Sequence, residues 1–137
     1  MSYLSWKDEY SVGVPLFDEQ HKKIFGFIND LGDAISGYEE HAVLRQVLYD
    51  LIMYTKVHFS DEEYNLYLYK YDDYEKHKEE HDKLAREVID FALEFCSKPD
   101  LSVEVMGFLK DWILNHILKS DKEYHDLFVN KEIIAQE

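Results

Sequence analysis

The chain has 137 residues and a formal charge of −14, with 29 acidic against 15 basic side chains, a balance that argues against nucleic acid or an anionic membrane surface as partner. Its single cysteine, Cys96, allows no internal disulfide and fits a reducing cytoplasm. The opening MSYLSWKDEY lacks a signal pattern, and no apolar run approaches the roughly 20 residues that span a bilayer, so a soluble single domain over residues 1–137 is expected.

Residues 1–15, with Trp6, Tyr10 and Val12-Gly13-Val14-Pro15, are too short for a domain and read as an N-terminal arm. After Pro15, the residues Phe17, His21, Ile24, Ile28, Leu31 and Ile35 step by threes and fours, which marks one face of a helix that Gly37 stops. A second helix is expected from about residue 41 to 70, with Leu44, Val47, Leu51, Tyr54, His58 and Glu62 along its stripe. Tyr71-Asp72-Asp73 supplies a turn and an N-cap for a third, whose stripe is Tyr74, His77, His81, Leu84, Val88, Phe91 and Phe95. The segment 97–100, with Pro99, breaks it. Ser102 is placed as N-cap of a fourth helix carrying Val105, Leu109, Trp112 and His116. Short connections between four helices give an all-α, antiparallel up-down-up-down four-helix bundle over residues 16–128, leaving a tail at 129–137.

These stripes contain polar residues where a buried side chain is required. A lone inward histidine is ordinarily satisfied by a neighbouring hydroxyl or carbonyl. Five histidines (His21, His58, His77, His81 and His116) with Glu62 and Asp121 cannot all be met that way, and would leave unpaired dipoles and charges unless cations sat among them. Of the seven histidines only His41 and His125 fall outside this set. His58 with Glu62, and His77 with His81, stand four apart and so lie one turn above each other. His116 and Asp121 are five apart, which carries an ideal helix about 140° past a full turn. A π-type turn or a break near residues 118–120 is therefore expected.

Seven donors are too many for one zinc, and magnesium or calcium would want oxygen rather than imidazole. Imidazole with carboxylate suits iron, copper, nickel or zinc. Shared between two six-coordinate ions, with both carboxylates and a solvent-derived group bridging, these donors leave one position open for a small ligand.

The segments WKDEYSVGVPLFDEQH, HFSDEE, HKEEH and HILKSD resemble the hemerythrins, specifically the single-domain bacteriohemerythrins, and the resemblance covers nearly the whole chain. It implies two iron ions (Fe2+/Fe3+) with an oxo or hydroxo bridge that bind O2 reversibly. It also implies that His77, His81 and His116 hold one iron and His21 and His58 the other, with Glu62 and Asp121 bridging and the open position on the two-histidine iron. Helical spacing puts Ile24, Phe59, Trp112, Ile113 and Ile117 near these ligands, and the resemblance implies that they line the oxygen pocket. The expected role is a binding protein, not an enzyme: a monomer for oxygen storage, delivery or scavenging, serving an oxygen-consuming enzyme. The alternatives are a di-iron oxidase or peroxidase, and O2 or redox sensing in trans.

Overall fold

Pro15, whose fixed φ suits the first turn of a helix, opens α1 (Pro15–Ser36), and Gly37 closes it at φ −82, without a left-handed cap. The computed structural model describes residues 4–37, 41–98, 102–124 and 128, and contains no strand among them. His125, the tail at 129–137 and the break at Pro99 lie outside the described residues.

The second helix, α2 (His41–Leu68), stops two residues short of the expected end. Tyr71 N–H donates to the Leu66 carbonyl at 2.9 Å and Lys70 N–H to that of Tyr67 at 3.1 Å, while Lys70 adopts φ 57. This is a Schellman closure, and a left-handed residue cannot extend the helix. The buried face of α2 is also rotated from the expected stripe: Leu48 and Thr55 are buried, whereas Val47 and Tyr54 are only half-buried.

In α3 (Tyr74–Ser97), Asp73 occupies the N-cap position but its side chain makes no capping hydrogen bond. The fourth helix, α4 (Ser102–Asn115), begins at Ser102 itself, so this residue is the first helical position rather than the cap expected of it. A six-residue π-helix, His116–Asp121, follows directly.

α1 packs on α2, α2 on α3 and α3 on α4, and contact between α1 and α4 closes the ring of four. Apolar residues from all four helices meet inside. Phe17, Ile24, Ile28, Leu31, Leu51, Leu66, Phe95 and Leu109 are fully buried, each contributing on the order of 1.5–3 kcal/mol through lost apolar exposure. The arm is fastened to α1. Asn29 exchanges two 2.8 Å hydrogen bonds with the Leu4 backbone, and Asp18 accepts from Val12 N–H at 2.9 Å and from the Ser11 hydroxyl at 2.6 Å. Trp6, Tyr10 and Phe25 form a ring cluster with centroids 5.5–5.8 Å apart. No helix among the described residues is long and apolar enough to cross a membrane.

Candidate metal centre

The first three helices and the π-helix send polar side chains to one buried place. α1 supplies His21, α2 supplies His58 and Glu62, α3 supplies His77 and His81, and the π-helix supplies His116 and Asp121. None is more than 4% exposed.

The seven divide into two overlapping groups, Glu62-His77-His81-His116-Asp121 and His21-His58-Glu62-Asp121, with potential ligand atoms in each lying within 4.8 Å of one another. The carboxylates belong to both groups, and their oxygens divide between them. Glu62 Oε1 lies 2.7 Å from His77 Nε2 and 3.2 Å from His81 Nε2, while its Oε2 lies 3.0 Å from His58 Nε2 and 3.6 Å from His21 Nε2. Asp121 Oδ1 is 2.8 Å from His116 Nε2 and 3.2 Å from His77 Nε2, and its Oδ2 is 3.0 Å from His21 Nε2.

The π-helix makes the Asp121 contact possible. An α-helical turn would aim residue 121 well away from residue 116, whereas an i→i+5 turn stacks the two. The widening expected from the five-residue spacing thus spans His116–Asp121.

The outer nitrogens are held by residues that no spacing had picked out. His81 Nδ1 lies 2.7 Å from Glu63 Oε2, and His116 Nδ1 lies 3.3 Å from Glu80 Oε1. His58 Nδ1 lies 2.7 Å from Gln20 Oε1; Gln20 Nε2 donates to Asp61 at 2.7 Å, which leaves its Oε1 to accept. A carboxylate or amide oxygen can only accept, so each of these Nδ1 atoms carries a proton and each Nε2 is the nitrogen left to face a cation, whether a proton or a metal ion. The Tyr124 hydroxyl, fully buried, donates to Glu62 Oε2 at 3.0 Å.

This arrangement tests whether a cation belongs here. His81 Nε2 and His116 Nε2 face each other at 3.1 Å. Both cannot be bare lone pairs at that distance; a proton or a metal ion must compensate. Among the described residues, His21 Nε2, His58 Nε2 and both oxygens of Asp121 have no partner in hydrogen-bonding geometry, although charges of opposite tendency surround them. Orphaned buried acceptors of this kind cost roughly 1–3 kcal/mol each. The donor set fits transition-metal ions and not an oxygen-seeking cation.

The charge balance agrees. Burial opposes protonation of His21, His77 and His116, yet Asp121 and Glu62 outweigh it and raise them to about 9, 10 and 9. Burial holds His58 down despite Glu62. Burial would push both carboxyls up, but the imidazoles hold Glu62 and Asp121 well below the usual range. The pocket therefore demands positive charge, and without metal takes it as protons.

Aromatic rings pack beside the centre. Phe59, adjacent to His58 in the chain, lies flat on His81 at 3.9 Å and 5°, with edge contacts to His116 at 5.7 Å. Trp112 lies 6.3 Å from Phe59 and donates its indole N–H to the Leu84 carbonyl at 3.1 Å. Ile24, Ile113 and Ile117 are at most 1% exposed. Two surface clefts, of about 230 and 410 Å³, reach His77 and His116 respectively, with Glu80 lining both.

Residues 12–128 match the hemerythrin HHE cation binding domain. The chain is 36% identical over 126 residues to the bacteriohemerythrin of Pseudomonas aeruginosa strain LESB58, covering 92% of this chain and 82% of that one. It is 34% identical to the bacteriohemerythrin of Methylococcus capsulatus, covering 90% and 95%. A wild-type hemerythrin crystal structure superposes with a TM-score of 0.81 at 31% identity, over 91% of this chain and 97% of that one. A domain-wide match, relatives above 30% identity and a shared four-helix bundle agree: the chain belongs to the hemerythrin family.

Proposed function

We propose that the protein binds O2 reversibly at a non-haem centre of two iron ions joined by an oxo or hydroxo bridge. The observation that carries this reading is the division of both carboxylates, one oxygen toward each histidine group. Such a division suits Glu62 and Asp121 to bridge two ions. His77, His81 and His116 would complete one ion and His21 and His58 the other, which leaves the open position on the second. When bound, the iron pair supplies the two electrons that O2 takes up and returns.

The chain's own residues do the rest. Gln20, Glu63 and Glu80 fix which imidazole nitrogen faces inward, and Tyr124 orients Glu62. Ile24, Phe59, Trp112, Ile113 and Ile117 line the oxygen pocket and exclude water, which would otherwise promote loss of the reduced state. With two carboxylates and five neutral imidazoles, the donor set is less anionic than the Glu-rich sets of ferritin-like di-iron proteins. That favours holding O2 over activating it, and a binding role over an enzymatic one. We read the protein as a cytoplasmic monomer that stores O2 or delivers it to an oxygen-consuming enzyme.

The test is reconstitution with Fe(II) under anaerobic conditions, addition of O2, then purging with inert gas while visible charge-transfer absorbance is followed. Colour that forms and vanishes on purging supports the reading. Colour that decays to a stable ferric form while an added reductant is consumed refutes it in favour of an oxidase or peroxidase.

A further inference from the structure

The imidazoles of the two histidine groups are backed by different chemistry. On the three-histidine side, His81 and His116 each place Nδ1 against a carboxylate, Glu63 at 2.7 Å and Glu80 at 3.3 Å. On the two-histidine side, His58 Nδ1 meets the neutral amide of Gln20, and the nearest charge in that chain, Asp61, stands behind the amide. His21 Nδ1 has no hydrogen-bond partner among the described residues.

A carboxylate draws on the shared N–H proton and makes the far nitrogen a stronger donor; an amide does so much less, and an unbacked ring not at all. The number of imidazoles, three against two, acts in the same direction. The order of charging separates the two steps whichever site fills first. The first divalent ion offsets the two negative charges of Glu62 and Asp121, which leaves the second to bind beside a cation with no fresh anion to meet it.

We propose that the two ions are held unequally, the one on His77, His81 and His116 entering first and tightly, the one on His21 and His58 entering second and leaving first. This rests on the di-iron reading above and deepens it. The exchangeable ion is the one that reading leaves with an open position. Loss of a single ion therefore abolishes O2 binding while the bundle keeps a filled three-histidine site. Glu63, Glu80 and Gln20 are positioning residues in this scheme, acting through the imidazoles behind which they stand.

The experiment adds Fe(II) stepwise to the metal-free protein under anaerobic conditions, read by calorimetry with a competing chelator. Two steps of one ion each are expected, the second weaker by about tenfold or more. Brief chelation of the loaded protein should leave one iron per chain by metal analysis. Glu63→Gln and Glu80→Gln should each weaken the first step by about 10–100-fold and leave the second within about threefold. Gln20→Leu should do the reverse. Glu63 and Glu80 are partly solvent-exposed, and the far-UV circular dichroism of each variant checks its fold. A single step of two equivalent ions, or variants that weaken the opposite step, overturns the asymmetry and leaves the di-iron reading standing. Uptake of fewer than two ions by the unaltered protein overturns the di-iron reading itself.

Discussion

Replacing Tyr124 with Phe removes one hydroxyl from the interior and changes little else. The phenol donates to Glu62 Oε2 at 3.0 Å, and both side chains are fully buried. Burial and the nearby Asp121 and Glu62 charges raise the phenol well above its usual value, so it remains a protonated donor. A Phe ring keeps the edge contacts to Phe17 and Phe128 at 5.7 Å and to Tyr71 at 6.4 Å, so the packing loss is small. What is lost is a hydrogen bond to a buried carboxylate, worth about 1.5–3 kcal/mol. For a chain of this size the urea midpoint of the metal-free protein should fall by roughly 1–2 M at an unchanged slope. Circular dichroism during urea unfolding, with metal stripped, measures it. A loss below about 0.5 kcal/mol would mean that Glu62 is held by its imidazoles alone, and that Tyr124 only fills space.

Four other outcomes follow from the structure. His21 and His116 stand at about 9 and His77 at about 10 in the metal-free fold, against an ordinary 6.5, so their protonation stabilises the fold. That contribution is whole below pH 6.5 and is lost as pH rises through 9–10; the metal-free melting temperature should fall across that window. Metal must displace the same protons, so loading at pH 7.5 should release about four protons, one from each of these rings and one from the water that becomes a hydroxo bridge, as a pH-indicator dye would report. Lys70→Gly relieves a left-handed lysine at φ 57 and should stabilise the protein by about 0.5–1 kcal/mol in thermal melts; a loss would show that the lysine side chain contributes more than its backbone costs. Ile113→Thr places a hydroxyl at a site 1% exposed and should speed autoxidation of the loaded protein by admitting water, whereas an unchanged rate removes Ile113 from the pocket.

Several structural features were legible because they are local. The four-residue steps from His58 to Glu62 and from His77 to His81 act through one helical turn, and the five-residue step from His116 to Asp121 already conflicts with an α-helix. The bundle resolves that conflict with a π-helix. Helix ends were less legible, since they depend on a single backbone conformation. α2 ends where Lys70 turns left-handed, in a residue type with no preference for doing so. The rotation of α2 toward Leu48 and Thr55 was likewise not in its own stripe, because the two neighbouring helices decide which of two adjacent apolar rows faces inward.

The sequence alone determined that six of the seven polar side chains lie on inward faces, because periodicities of three and four translate directly into a helix face; the seventh, Asp121, is brought in by the π-helix. Only the tertiary structure decided what stands behind them: Gln20 is 38 residues from His58, Glu63 is 18 from His81, Glu80 is 36 from His116, and Tyr124 is 62 from Glu62. The chain offers 29 acidic residues and 11 tyrosines. No periodicity separates the few that serve the centre, because that selection is made by the rotation and height of one helix against another, which sequence spacing within a helix does not encode.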